Sequence, residues 1–159
     1  MFVDRFASTH ARIRILEGLL RYREEIAGAG IVSGFQWLNG SFLENVEVLE
    51  NRPPRDMDVV TFFNLPEGID QTSFCRQNPA LFDQKRLKQC CFVDAYHVVL
   101  GTPLSDWNIK NIAYWYSMWS HRRDGLWKGF IQVALDQKED ATARNILSMY
   151  GGNQDAPSL

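Results

Sequence analysis

The stretch Trp37-Leu38-Asn39-Gly40-Ser41, a spacer of fourteen residues, and then Asp56-Met57-Asp58-Val59-Val60-Thr61-Phe62-Phe63-Asn64 decides what kind of fold the chain can make. Residues 56–64 form the clearest strand, β-branched and aromatic after their first three positions. Residues 32–39 read as the strand before it. Gly40-Ser41 then turns sharply into a short helix over 42–50, with Phe42, Val46 and Leu49 on one side. Pro53-Pro54 ends that helix and forces an extended approach to the next strand.

Outward from this centre, helix and strand signals alternate. Residues 8–28 read as a helix that Ser8 or Thr9 can cap, with Ile13, Leu16, Leu19, Leu20 and Ile26 at near-helical spacing. A short helix is expected within 77–88 and a strand over 90–100. Ser105-Asp106 caps a helix running to about Arg123, in which Ile112, Trp115, Tyr116 and Trp119 lie on a stripe read as core. Residues 128–135 read as a last strand. Asp136-Gln137-Lys138-Glu139 resembles a capping box opening a final helix to Tyr150. The pattern predicts an α/β (α+β) domain over 1–150, with a mixed sheet of about four to five strands flanked by helices, and a flexible tail over 151–159.

The 159 residues are 45% hydrophobic and 23% charged, which excludes a wholly disordered chain. Seventeen basic against nineteen acidic residues give a net charge of −2, which argues against general binding to duplex DNA. Three cysteines cannot make a full disulfide framework, and Cys75, Cys90 and Cys91 match no zinc spacing, so they read as reduced thiols. Asp4, Arg5, His10 and Arg12 replace the apolar run of a signal peptide, and no stretch approaches a membrane span. A cytoplasmic location is expected.

The chemistry lies in the acids. Residues two apart on a strand share a face, with Cα atoms about 6.5–7 Å apart, so Asp56 and Asp58 aim at one point. Like charges that close need a proton or a cation between them. Hard divalent ions such as Mg²⁺ prefer such carboxylates and keep positions open for phosphate oxygens. Gly40 lets backbone approach a phosphate, and Ser41 adds a hydroxyl beside a helix start. Asp94, among Phe92, Val93, Ala95 and Val98, is costly to bury unpaired. Alternation places it opposite Val93, Ala95 and His97. If its strand neighbours that of Asp56 and Asp58, three carboxylates converge. His97 reads as a structural histidine, and His10 and His121 as surface residues.

A strand ending in Gly-Ser, a short helix, and a strand opening Asp-x-Asp resembles the DNA polymerase β-like nucleotidyltransferase superfamily. The matching residues are Gly40 and Ser41, then Asp56 and Asp58, with Asp94 at the third acidic position. The chain is also similar to a group of small bacterial nucleotidyltransferase-like proteins with Gly-Ser-Phe-x-Glu-Asn and Lys-Gly-Phe segments. The resemblance covers roughly residues 32–100. It implies a palm-like core, two Mg²⁺ ions held by Asp56, Asp58 and Asp94, and a nucleoside triphosphate held at Gly40 and Ser41. The implied reaction moves a nucleoside monophosphate to a hydroxyl of a protein, an RNA end such as that of tRNA, or a small molecule, in a toxin–antitoxin or phage-defence setting. Small bacterial members often carry Arg just after Gly-Ser, where this chain has Phe42-Leu43-Glu44-Asn45. Triphosphate contacts would then fall to residues such as Arg52, Arg55, Lys85, Arg86 or Lys88. The alternative is a non-catalytic binding protein that keeps the fold.

Overall fold

Thr9, in extended backbone, accepts a hydrogen bond from Arg12 N and starts α2 (His10–Gly28). A short helix not expected from sequence, α1 (Phe2–Phe6), precedes it. The computed structural model describes residues 2–101, 103, 105–122 and 124–152. Along α2, Ile13, Ile15, Leu16, Leu19, Leu20, Tyr22 and Ile26 are buried, and this broad apolar face lies on a four-stranded sheet.

The strands are β1 (Gly34–Asn39), β2 (Met57–Phe63), β3 (Val93–Val99) and β4 (Ile131–Ala134), in spatial order β3-β2-β1-β4. β1 runs antiparallel to β2 and to β4, and β2 runs parallel to β3. The fold is therefore a mixed α/β (α+β) sheet flanked by helices. The parallel β2–β3 pair needs a long crossover, made by α4 (Gln71–Gln77), a 3₁₀ turn over Pro79–Phe82, and α5 (Gln84–Cys91). More helix occupies this crossover than the single short helix expected over 77–88. Asp70 and Asp83 cap its two α-helices through hydrogen bonds from Thr72 N and Arg86 N. Cys90 and Cys91, expected to open the strand, instead end α5. Phe92, at φ 55°, turns the chain from α5 into β3.

Two other expectations change. The helix expected over 42–50 is a 3₁₀ turn at Ser41–Leu43 and a single helical turn, α3 (Val46–Leu49), with Leu49 exposed. Helix α6 (Asp106–Trp119) ends before Ser120, and of its stripe only Trp119 is buried. Asp136 caps α7 (Gln137–Gly152), accepting from Lys138 N. Arg123 and the segment 153–159 lie outside the described residues.

The two sheet faces differ. Beneath α2, α5 and α7 lie Leu38, Met57, Val59, Val93 and Ala95, with Phe63 and Phe74 beside them. The other face carries Val60, Phe62, Val98 and Trp119, ringed by Phe35, Trp37, Tyr96, Trp115 and Phe130.

A polar seam crosses the α2 side. Arg23 donates to Asp140, to Gln36 Oε1 and to Ala134 O, each at 2.7 Å. Gln36 Nε2 donates to Thr61, and the Tyr22 hydroxyl lies 3.1 Å from Thr61 Oγ1 and 2.9 Å from His97 Nε2. Burial lowers the His97 pKa to about 4 and holds the Tyr22 phenol well above its usual range. His97 is thus neutral at pH 7 and structural.

Gly18 marks the closest approach of α2 to α5. A Cβ there would sit 2.0 Å from the Cys91 carbonyl oxygen. Gly18→Ala gains up to about 1 kcal/mol of helix propensity but must separate two packed helices, and overpacking costs about 1–3 kcal/mol or more. A net loss of about 2 kcal/mol is expected, lowering Tm by roughly 4–8 °C. A variant melting at or above the parent would contradict this packing.

Candidate functional site: three aspartates beside a glycine turn

β2 aligns with its two neighbours so that Asn39 of β1 faces Asp58, and Asp58 faces Asp94 of β3. Asp58 and Asp94 stand on the aromatic face, with Val60 and Tyr96 next along their strands. Asp56, one residue before β2 begins, reaches the same place. Its Oδ2 lies 2.9 Å from Lys88 Nζ, which is also 3.2 Å from Asp94 Oδ2. The three acids proposed from sequence therefore come together at the end of β2 nearest the Gly40 turn.

Their charges are felt. Burial first, then the charges of Asp56 and Asp94, raise the Asp58 pKa to about 6, against the opposing effect of Lys128 and Lys88. Bonding to Asp56 is the main reason that Lys88 holds its proton more tightly than a free lysine. Burial, followed by the charges of Asp94 and Asp58, raises the Tyr96 phenol.

Gly40 adopts φ 90°, a backbone that favours glycine, and a Cβ there would lie 3.1 Å from Asp58 N and 3.3 Å from Asp58 Oδ2. The turn is pinned from three sides. Gly40 N donates to Asn39 Oδ1, whose amide nitrogen donates to Trp119 O. Lys128 Nζ donates to Gly40 O at 3.2 Å and to Glu44 Oε1 at 2.7 Å. Arg12 is buried and donates to Phe42 O and Glu44 O, while its fork grips both oxygens of Glu47. Arg122 reaches the other oxygen of Glu44 at 3.2 Å.

Gly40 and Ser41 thus lie where the sequence places them. Ser41 makes no capping hydrogen bond, and the turn after it is too short to offer the helix N-terminus expected there. Of the basic residues considered for phosphate contact, Arg52 pairs with Glu50 and Arg86 with Glu25, Lys88 lies among the aspartates, and Arg55 and Lys85 are exposed. Sequence reading did not place Lys128, Glu44 or Asn39 in the site. The signal was present in the Gly-Ser-Phe-x-Glu-Asn and Lys-Gly-Phe segments, which the fold joins through Glu44 and Lys128.

Three carboxylates are a fitting donor set for a hard cation such as Mg²⁺. The Lys88 ammonium stands in for such a cation between Asp56 and Asp94. The aspartate oxygens have not closed around an ion-sized gap. Among the described residues, only Glu25, Cys90 and Cys91 bring three ligand atoms within 4.8 Å of one another. That trio makes a poor metal site. Arg86 holds both Glu25 oxygens, and burial together with Cys90 keeps the Cys91 thiol protonated. A groove of about 350 Å³ beside Leu20, Arg21, Arg144 and Leu147 lies on the α2–α7 side, away from the aspartates.

Residues 1–134 match a family of unknown function, DUF6932. The chain belongs to this family. None of the curated proteins and none of the solved structures matches it. Among the described residues, no helix is long and apolar enough to cross a membrane.

Asp58→Asn tests the electrostatics directly. The folded-state pKa, about 6, lies above the ordinary value of 3.8. The protonated carboxyl therefore favours the fold at low pH, and that stability is lost as pH rises from about 4 through about 6. At pH 7 the ionised group costs on the order of 2 kcal/mol, so the variant should melt about 5 °C above the parent. The gap should close near pH 4. His97 shifts stability with the opposite sign over pH 4–6.5, so the difference between the two proteins, measured by pH-dependent melts, isolates Asp58. A variant less stable than the parent at pH 7 would count against a strained carboxylate.

Proposed function

We propose that the protein is a metal-dependent nucleotidyltransferase of the DNA polymerase β-like kind, moving a nucleoside monophosphate from a nucleoside triphosphate to a hydroxyl of a protein, an RNA end or a small molecule. The observation that carries this reading is the register Asn39–Asp58–Asp94. It sets a Gly-Ser turn and three carboxylates side by side at one end of the sheet, in the order that the resemblance implies.

Asp56, Asp58 and Asp94 would hold Mg²⁺. When bound, the metal neutralises triphosphate charge and the oxygens that become negative during displacement. Gly40 and Ser41 steady the triphosphate through backbone and hydroxyl. Asp94 accepts the proton of the acceptor hydroxyl. That oxygen forms a bond to the α-phosphorus, the α–β bridging P–O bond breaks, and pyrophosphate departs. Lys88 has to leave the space between Asp56 and Asp94 first. Lys128, tied to both Gly40 O and Glu44, keeps the turn against Asp58.

One observation favours a second reading, a non-catalytic binding protein. Lys88 already neutralises Asp56 and Asp94, as a permanent structural counter-ion would.

Lys88→Met separates the two. A nucleotidyltransferase freed of its competing cation should bind Mg²⁺ at least about fivefold more tightly, read as a metal-dependent rise in Tm. With labelled ATP, GTP, CTP and UTP plus lysate, the parent should leave a Mg²⁺-dependent labelled product. Asp94→Asn should retain nucleotide binding and lose roughly 10²–10⁴-fold in transfer, the range for a positioned proton acceptor. Flat melts with every nucleotide and no labelled product would support the binding protein instead. Ser41→Ala should weaken triphosphate binding with little change in Tm, because Ser41 makes no cap to lose. Unchanged affinity would remove Ser41 from the site.

A further inference from the structure

Two neighbouring cysteines end α5, and their thiols are turned towards each other. Cys90 Sγ lies 3.2 Å from Cys91 Sγ. Cys90 is exposed and Cys91 is buried, so one thiol meets solvent and the other lies behind it. Arg21 donates to the Cys90 carbonyl oxygen at 2.9 Å, and Arg86 carries its charge beside the same residue. The acid next to the pair is Glu25, and Arg86 grips both of its oxygens. An exposed thiol with arginines around it and a second thiol in reach is the setting in which cysteines oxidise reversibly.

We propose that Cys90 and Cys91 are a reversible oxidation site, closing to a disulfide between adjacent residues and thereby loosening the turn that holds Lys88 between Asp56 and Asp94. The oxidant is a hydroperoxide. The Cys90 sulfur bonds to the terminal peroxide oxygen, the O–O bond breaks, and the thiol proton leaves on the other oxygen as water or an alcohol. Cys90 is then a sulfenic acid. The Cys91 sulfur bonds to the Cys90 sulfur, the S–O bond breaks, and the departing hydroxide takes the Cys91 proton as water. The two thiols give up two electrons, and the peroxide takes them. Cys91 holds its proton first because of burial and next because of its bond to Cys90 and the Cys90 charge. Conversion of Cys90 to the sulfenic acid removes the last two of these.

Covalent geometry ties this chemistry to the fold. Cα atoms joined by a trans peptide are about 3.8 Å apart, whereas a relaxed disulfide spans about 4.4–6.8 Å. A bond between Cys90 and Cys91 therefore strains a helical backbone, and the last turn of α5 has to give. A disulfide strained in this way is readily reduced again. Two connections carry the change to the aspartates. Lys88 stands in that last turn, its ammonium 2.9 Å from Asp56 Oδ2 and 3.2 Å from Asp94 Oδ2. Phe92, which closes the helix from its N–H to Leu87 O, accepts at its own carbonyl from Met57 N at 2.9 Å, between Asp56 and Asp58. Nothing in this requires a nucleotide.

Treatment of the full chain with a hydroperoxide, then alkylation and mass spectrometry, tests this. The expected product has lost two hydrogen atoms, alkylates only at Cys75, and recovers all three thiols with dithiothreitol. Amide exchange in residues 88–92 and at Met57 should rise at least about tenfold as the turn opens. Carbodiimide coupling of Lys88 to Asp56 or Asp94, expected in the reduced protein, should lose most of its yield. Cys90→Ser, at an exposed position, should keep the reduced-state coupling and show no response to peroxide. Cys75→Ser should respond as the parent does. Three thiols that survive the oxidant, Cys90 driven to sulfinic acid with Cys91 still free, or a bond made through Cys75 or between chains would overturn the proposal. So would a Cys90–Cys91 bond that leaves exchange and Lys88 coupling as they are in the reduced protein.

Discussion

Asp58 lies between the bare backbone of Gly40 and the carboxylate of Asp94, with Asp56 two residues behind it, and negative charge packed this way requires positive charge close by. Lys88 supplies it on one flank, from the last turn of α5. Lys128 supplies it on the other, from the segment leading into β4. Each lysine brings its own requirement. Lys128 is held by Glu44, Glu44 by Arg122, and the loop that carries Glu44 by Arg12 from α2. Elements far apart in sequence are thus tied to one turn by alternating charges. Glycine at position 40 is the geometric condition for all of it, since any side chain there would press on Asp58.

Below the sheet the balance is different. Arg23, Gln36, Thr61, Tyr22 and His97 are buried polar groups satisfied by one another, and among the described residues no buried side-chain nitrogen or oxygen lacks a partner. A satisfied network of this kind fixes strand register, because a slip of one residue would send Gln36, Thr61 and His97 to the aromatic face. The register it fixes is the one that sets Asp58 beside Asp94. The structural histidine on one face and the aspartates on the other are therefore consequences of a single strand alignment.

The β2 strand and the identities of its acids were legible because alternation and β-branched composition are local signals. The pairing of β2 with β3 is not legible in the sequence, because nothing local to residues 93–99 says which strand they join. Cys90 and Cys91 were read into a strand because both are compatible with one. The left-handed turn at Phe92, which ends α5 there, leaves no mark on composition. The expected helix after Ser41 failed for a physical reason. Arg12 takes the carbonyls of Phe42 and Glu44 as acceptors, while Glu44 N turns to Ser41 O and Val48 N to Asn45 O, the three-residue bonds of separate tight turns rather than of one α-helix. Lys128 was visible only as part of a tripeptide segment, since its partners lie about ninety residues earlier in the chain.

The aromatic stripe of α6 shows where periodicity stops being informative. Spacing of 112, 115, 116 and 119 identifies a helix and implies that its apolar residues are covered, but it does not say by what. Trp115 and Trp119 find cover on the chain's own sheet. For the rest of the stripe, burial at about 25 cal/mol per Å² would favour leaving water by far more than the few tenths of a kcal/mol that separate one surface residue from another in helix propensity. Through Trp119 O, α6 also touches Asn39, which is one hydrogen bond from Gly40, so the helix that covers the aromatic face of the sheet braces the turn beside the aspartates.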